Sequence, residues 1–241
     1  MTSVATTYLE FHVLFLAPAV VTVVSAVGLR STDGWGRTLR LGVPLMVALA
    51  LGYTVPWDNY LIARGVWWYG EGAVAGTLWR APVEEYLFIA VQPVVTGLWC
   101  AQLSVPPGPS LRLPVRTRLF GAALGAGVGV VGVVLLAAPP TFYLGAILLW
   151  AAPVLALQWA FGWPQLWRAR RTVALGVAVP TAYFWLADWF ALRAGIWVLS
   201  DRYTTGLAVA GLPVEEAAFF LVTNCFVVQG LVLLRWVLER W

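Results

Sequence analysis

Seven long apolar stretches constrain what this chain can fold into. Each is close to the roughly 20 apolar residues that a helix needs to cross a bilayer. Charged residues make up only 11% of the chain, whereas soluble domains carry roughly 25%. The sequence therefore predicts an all-α integral membrane protein with seven transmembrane helices, at approximately 8–29, 39–62, 82–103, 119–138, 142–161, 172–192 and 213–236.

The arginines are distributed unevenly between the two sides of the predicted bundle. Eleven of the fifteen lie in the loops after the first, third and fifth helices and in the C-terminal tail, and four lie on the other side. Basic residues are enriched in cytoplasmic loops. We therefore expect a multi-pass protein of the cell membrane, with its N-terminus outside and its C-terminus in the cytoplasm. Since the arginines lie in short loops, the net charge of +4 does not indicate nucleic-acid binding.

The second half of the chain repeats the first. Pro82-Val83-Glu84-Glu85 opens the third apolar stretch, and Pro213-Val214-Glu215-Glu216 opens the seventh. Further pairs recur in the same order: Tyr8 with Tyr143, Asp58 with Asp188, Gly65 with Gly195, and Trp67 with Trp197. These matches predict an internal duplication of three helices.

The duplication predicts how the chain is divided. Residues 1–103 would form the first repeat, residues 104–138 a linker and connector helix, and residues 139–241 the second repeat. Three helices and one connector make an even number, so both repeats would enter the membrane in the same direction. The repeats would therefore be parallel, and both acidic motifs would lie at the same depth.

The paired glutamates are the first candidates for chemistry. A proline followed by glutamates is also a good helix start, so helix capping is the alternative interpretation. Capping explains less well why Glu84 and Glu85 recur as Glu215 and Glu216. Gln92 lies seven positions after Glu85 on the same helix face. Because adjacent carboxylates in a dry site repel each other, we expect a protonated acid beside an ionised base, as proton addition and removal require.

Two aspartates and a set of aromatic residues accompany the glutamates. Asp58 and Asp188 lie near the outer ends of the second and sixth helices. They could belong to the proton network of the glutamates, and a helix-terminal hydrogen bond is the alternative interpretation. Trp67 and Trp197 lie close to them in sequence. These rings could form an interfacial belt, or they could stabilise a carbocation by cation–π attraction.

These motifs carry a family resemblance. The two Pro-x-Glu-Glu-x-x-x-Phe motifs, with Trp57-Asp58-Asn59-Tyr60 and Gly65-Val66-Trp67-Trp68-Tyr69, resemble the membrane-integral lycopene cyclase family in its fused, single-chain form. The resemblance implies that the Pro-x-Glu-Glu motifs are essential. It places Glu84, Glu85, Glu215 and Glu216 in catalysis, with Asp58 and Asp188 beside them. The substrate would contact Trp67, Trp197, Phe88, Phe219, Gln92 and Asn59.

The resemblance also implies a reaction. An acid would protonate the terminal double bond of the linear ψ end of lycopene, and the neighbouring double bond would close a six-membered ring on the resulting cation. A base would then remove a ring proton, so that lycopene becomes β-carotene by way of γ-carotene. The reaction needs no cofactor or metal. The expected partners are lycopene and membrane lipid, and other carotenoid enzymes could also bind.

Two other functions remain open from the sequence. A related enzyme could form a different ring type, hydrate the end group or cyclise an elongated carotenoid. A proton-coupled transporter would also use parallel repeats and membrane carboxylates, but the middles of the fourth and fifth helices are nearly free of polar residues.

Overall fold

The structure of the protein is a computed structural model that describes residues 6–29 and 34–240. The described part of the chain forms seven helices, six of which are long and apolar enough to cross a membrane. Arg30, one of the arginines used for orientation, lies outside the described residues. The helices are α1 (Tyr8–Leu29), α2 (Gly36–Ala63), α3 (Val83–Cys100), α4 (Val115–Leu135), α5 (Phe142–Arg168), α6 (Arg170–Ala194) and α7 (Val214–Leu238).

All seven predicted helices are present, and the largest differences from the predicted boundaries are at the end of α5 and the start of α4. α5 continues beyond residue 161 to Arg168, across a kink at Gly162. A Cβ at Gly162 would lie 2.5 Å from Leu233 Cδ2 and 2.8 Å from Trp236 Cζ3, so a larger residue at the kink would require these side chains of α7 to shift. α4 begins at Val115, inside the segment predicted as linker, because Pro114 ends the irregular backbone and fixes a φ suited to a helix start.

In the described residues, three small antiparallel sheets join the helices at one end of the bundle. None of them was predicted from the sequence. A ladder between the two halves pairs β1 (Trp67–Tyr69) with β4 (Trp197–Leu199). Two hairpins precede α3 and α7. Their strands are β2 (Thr77–Leu78) with β3 (Ala81–Pro82), and β5 (Ala208–Val209) with β6 (Leu212–Pro213).

The hairpin turns explain why these strands left little trace in the sequence. Each hairpin strand has two residues, which is too short for a period-two pattern. Trp79 and Ala210 adopt positive φ values of 60° and 51° in the turns. Two-residue hairpin turns require such backbone, but tryptophan and alanine do not signal it.

The helices appear in the same order with the same small strands in each half of the chain. A pair of helices, one ladder strand and one hairpin precede α3, and the same elements precede α7. α4 lies between the two sets and packs mainly on α5. The acidic motifs therefore begin helices that follow matching hairpins.

A face of small residues seats α4 against α5. Gly121, Gly125, Gly129 and Gly132 are buried along one side of α4. A Cβ at Gly125 would lie 2.3 Å from the Cα of Ala156, and a Cβ at Gly132 would lie 2.5 Å from the backbone nitrogen of Leu149. Small residues at such faces let helix backbones approach closely.

Substitution of this face should separate α4 from α5. We expect Gly125→Val to lower stability by about 1–3 kcal/mol, because the added side chain overlaps backbone atoms that cannot move away cheaply. Gly127→Val is the matched control, since a Cβ there meets no atom within 4 Å. Thermal unfolding in detergent measures both variants. Equal unfolding midpoints for the two would contradict this packing.

Candidate active site

The first glutamate of each pair holds the loop before its own helix. Glu84 Oε1 accepts a hydrogen bond of 2.7 Å from the Ala75 backbone N–H. In the other half, Glu215 Oε1 accepts one of 2.7 Å from the Thr205 backbone N–H. Both side chains are buried. These contacts fix the segment that precedes each hairpin.

The second glutamate of each pair points elsewhere. Successive helix positions are rotated by about 100°, so Glu85 and Glu216 face the inside of the bundle. Glu85 Oε2 accepts a hydrogen bond from the Tyr8 hydroxyl at 2.8 Å. Glu216 Oε1 accepts the matching bond from the Tyr143 hydroxyl at 3.0 Å. The structure thus separates each adjacent pair into a loop-holding carboxyl and an inward-facing carboxyl.

Four carboxyl groups face one small chamber of about 40 Å³. They belong to Asp58, Glu85, Asp188 and Glu216, so each half of the chain contributes one aspartate and one glutamate. The volume has room for only a few water molecules, so the end group of a larger molecule reaches the carboxyls only when the side chains that line the chamber move apart. Of the residues predicted to contact substrate, four also line this chamber: Trp67, Trp197, Phe88 and Phe219. Glu84 and Glu215 are not part of its lining.

The ladder between β1 and β4 covers the chamber. Residues of a strand alternate between its two faces; accordingly, Trp67, Tyr69, Trp197 and Leu199 line the chamber, while Trp68 on the opposite face is exposed. The lining includes both predicted tryptophans. The ladder thus ties the two halves together directly above the carboxyl groups.

Hydrogen bonds from this cover differ between the two halves. The Tyr69 hydroxyl donates to Glu85 Oε2 at 2.9 Å, whereas Leu199 occupies the matching position and can donate nothing. Burial and the nearby Glu85 carboxyl raise the pKa of the Tyr69 hydroxyl well above its usual value, so it stays a donor at physiological pH. Glu85 therefore accepts two hydroxyl donors and Glu216 accepts one.

The aspartates differ in the same way. The Trp197 indole N–H donates to Asp188 Oδ1 at 3.1 Å. Trp67, its counterpart, donates to the Tyr69 hydroxyl at 3.3 Å instead. In the described part of the chain, Asp58 Oδ2 is buried with no hydrogen-bond partner, as is Asp188 Oδ2.

The chamber has no compensating positive charge among the described residues. Its lining includes no basic side chain, and the one ion pair found in residues 6–29 and 34–240 joins Arg235 to Glu239. An isolated carboxylate in a dry interior costs several kcal/mol. Four adjacent carboxyls without a cation therefore cannot all be ionised, and the chamber must hold protons.

Aromatic rings form one wall of the chamber. Trp57 stacks on Phe219 with centroids 5.9 Å apart and on Trp150 at 4.8 Å. Tyr143 lies 5.5 Å from Trp67. The faces of such rings attract cations by about 0.5–2 kcal/mol each. A carbocation beside this wall would be stabilised without any mobile counter-ion.

The side-chain amides of two residues predicted to contact substrate form hydrogen bonds within the protein. Asn59 Oδ1 accepts from the backbone N–H groups of Arg80 and Ala81 at 2.8 and 3.1 Å, which anchors the first hairpin. Gln92 donates to Thr223 Oγ1 and Asn224 Oδ1, both at 2.9 Å, and so connects α3 to α7. The amide oxygen of Asn59 thus anchors the hairpin, and the contacts of Asn59 and Gln92 with substrate stay predictions.

Sequence reasoning did not assign a site role to the tyrosines. Tyr8, Tyr69 and Tyr143 each donate a hydroxyl to a chamber glutamate. The recurrence of Tyr8 as Tyr143 was visible, but it served only as a marker of the duplication. The available signal was that this tyrosine recurs in both halves together with the glutamates, which indicates a hydroxyl that bonds a carboxyl.

Comparison with known proteins identifies the family of the chain. The model of the family described as lycopene cyclase matches residues 5–101 and 140–232. The chain belongs to the lycopene cyclase family. A lycopene beta-cyclase of Halobacterium salinarum is 52% identical over 98% of this chain and 99% of its own length. No solved structure matches significantly.

Fungal members of the family are longer proteins. A bifunctional lycopene cyclase/phytoene synthase of Gibberella fujikuroi is 36% identical over 78% of this chain, which corresponds to 33% of the fungal protein. A protein of the same description from Phaffia rhodozyma is 31% identical over 96% of this chain and 37% of its own length. This chain thus spans about a third of those relatives.

Because no basic side chain compensates the four chamber carboxyls, we expect at least one of them to be protonated at neutral pH. We expect an infrared band of a protonated carboxyl group that is lost or shifted in Asp58→Asn, because Asp58 receives least help from hydrogen-bond donors. Asp201→Asn, at an exposed position, should leave the band unchanged. Infrared difference spectra of the purified protein measure both. Four ionised chamber carboxyls at neutral pH would contradict the charge argument.

Proposed function

We propose that this protein is a lycopene β-cyclase that converts the ψ end groups of lycopene into β-ionone rings. Membership of the lycopene cyclase family makes it an enzyme of carotenoid cyclisation. The observation that carries the chemistry is the chamber, in which four carboxyl groups face one wall of aromatic rings without a compensating cation. Such a site can add a proton to an alkene and remove another one from the resulting cation.

The reaction needs one proton in and one proton out. A protonated carboxyl adds its proton to the terminal double bond, leaving a tertiary cation. The next double bond attacks this cation, which forms the ring bond and moves the charge into the ring. A carboxylate then takes a ring proton, and the β-ring double bond forms. No electrons are gained or lost, so the number of hydrogen atoms is unchanged.

The hydrogen bonds favour a division of roles among the carboxyls. Glu85 accepts hydroxyl bonds from Tyr8 and Tyr69, and such bonds stabilise the ionised form. We assign Glu85 as the base. Asp58 receives no indole bond, so its ionised form is the least stabilised of the four, and we assign it as the acid. Glu216 and Asp188 complete the proton network opposite them.

Glu84 and Glu215 take a different role from the one expected from the sequence. Each is held by a backbone N–H of the loop before its hairpin and lies outside the chamber lining. We propose that they position the hairpins, and through them the inward-facing glutamates. Replacement by glutamine keeps a carbonyl oxygen that can accept the same backbone bond.

Expression in lycopene-accumulating cells tests the function. We expect the cells to form β-carotene, with γ-carotene as the intermediate, and pigment chromatography measures both. Unchanged lycopene in cells that contain the protein in their membranes would contradict the assignment. Products with another ring type or a hydroxyl group would indicate a different carotenoid end-group enzyme.

The two glutamates of one motif should respond differently to the same substitution. Glu85→Gln should lower conversion by roughly 10²–10⁴-fold, because it removes a proton-transfer group. Glu84→Gln should retain most activity, because the bond to Ala75 can still form. Chromatography with quantified membrane protein measures the pair. Equal loss in both variants, at equal protein levels, would refute this division of roles.

The architecture follows the duplication. We propose two parallel three-helix repeats, at residues 1–103 and 139–241, joined by the linker and connector helix of residues 104–138. The identical order of elements in both halves and the two separate family matches support this division. The protein would span the cell membrane with its N-terminus outside and the chamber toward the outer leaflet, as the arginine distribution favours.

A further inference from the structure

Two apolar grooves occupy matching places in the two halves. One, of about 260 Å³, opens between α2 and α5, has α3 and α7 as its remaining walls, and is named the α2–α5 groove. The other, of about 250 Å³, lies mainly between α1 and α6, and is called the α1–α6 groove. The same sequence offsets that relate the repeats also relate their linings: Leu49 with Val179, Ala50 with Pro180, and Leu157 with Thr22.

The same hydrogen bond lies beside each groove. The Tyr53 hydroxyl donates to the Trp150 backbone carbonyl at 2.7 Å. The Tyr183 hydroxyl donates to the Phe15 backbone carbonyl at 2.6 Å. These bonds join α2 to α5 and α6 to α1 at matched positions. The two grooves are therefore structural counterparts and not unrelated surface features.

Only one of these two grooves adjoins the chamber. Phe88 and Phe219 line both the α2–α5 groove and the chamber. The lining of the α1–α6 groove shares no residue with the chamber. The grooves thus match in shape and size but differ in their connection to the carboxyl groups.

One of the matched positions holds a small residue beside the α2–α5 groove and a large aromatic residue in the other half. Thr54 lines the α2–α5 groove, and Phe184 takes the corresponding position in the other half. The Phe184 ring is fully buried, stacks on Phe220 at 5.7 Å and meets Phe88 edge-on at 5.8 Å. It therefore packs behind two residues, Phe88 and Phe220, that line the chamber.

We propose that the α2–α5 groove binds the polyene chain of the carotenoid and delivers one end group to the chamber, while Phe184 closes the equivalent route from the α1–α6 groove. This inference rests on the proposed cyclase function. The two ends of a substrate then react one after the other in the same site. After the first ring closes, the half-cyclised molecule leaves, turns around and returns.

The chemistry of the groove favours this occupant. Its lining is almost wholly apolar, and Leu49 and Leu157 are 54% and 71% exposed toward the outside of the bundle. An apolar chain can thus enter sideways from lipid. A lipid acyl chain would fit the same surface but has no double-bond end group for the chamber. The shared Phe88 and Phe219 give a carotenoid end a path to the carboxyls.

Bulky substitutions at matched positions test the proposal. We expect Leu49→Trp and Leu157→Trp to lower lycopene conversion by about tenfold, because the indole fills the groove. Val179→Trp and Thr22→Trp place the same side chain in the α1–α6 groove and should leave conversion unchanged. All four positions are exposed, so folding should be retained. Pigment chromatography and the amount of protein in the membrane are measured for each variant.

The outcomes separate the inference from the function. If the wild type converts lycopene and both pairs of variants lose conversion equally, the groove assignment is overturned while the cyclase function stands. The same holds if only the Val179 and Thr22 variants lose conversion. A wild type that never converts lycopene would refute the function itself.

The order of products gives a second test that needs no variant. With purified protein and excess lycopene, we expect γ-carotene to accumulate free of the enzyme before β-carotene appears, since each end enters separately. A chase with unlabelled γ-carotene should dilute the label from lycopene in the β-carotene formed. β-Carotene that forms at once with undiluted label would overturn one-end-at-a-time access.

Discussion

The structure depends on the cost of holding four carboxyl groups where no basic side chain compensates them. Each ionised carboxyl in such a place costs several kcal/mol, and that cost falls only if the group is protonated or accepts hydrogen bonds. Hydroxyls of Tyr8, Tyr69 and Tyr143 provide such bonds. Because these donors come from helices and loops of both halves, the chamber requires the whole bundle to be assembled. The ladder from Trp67–Tyr69 to Trp197–Leu199 fixes the halves relative to each other.

Each acidic pair divides two tasks between adjacent residues. Glu84 and Glu215 bind loop amides and lie outside the chamber lining, whereas Glu85 and Glu216 line the chamber. In the proposed reaction, a carboxyl that takes part in proton transfer must be held closely. The neighbouring carboxyl anchors the loop before the hairpin that leads into the same helix.

The duplication is incomplete at the positions that matter for chemistry. Tyr69 is matched by Leu199, so the two chamber glutamates differ in their donors. Thr54 is matched by Phe184, so the two grooves differ in their connection to the chamber. A two-fold arrangement with equal carboxyls would have no reason to place a proton on one side. Small side-chain differences thus distinguish the first half, which contributes the proposed acid Asp58 and the proposed base Glu85, from the second half of a scaffold made of two similar halves.

The sequence by itself determined the helices, because long apolar stretches can satisfy their backbone in lipid only as helices. Its recurring motifs predicted a duplication that would bring carboxyls of both halves to one place. It also carried the family resemblance that the comparisons confirmed. It did not determine which glutamate faces inward, since one step along a helix turns the side chain by about 100°, nor that Asn59 serves the hairpin. Tertiary structure alone decided both of these features. It also decided the ladder between strands far apart in sequence and the contact of only one of the two grooves with the carboxyls. Each depends on packing between residues that no local pattern relates.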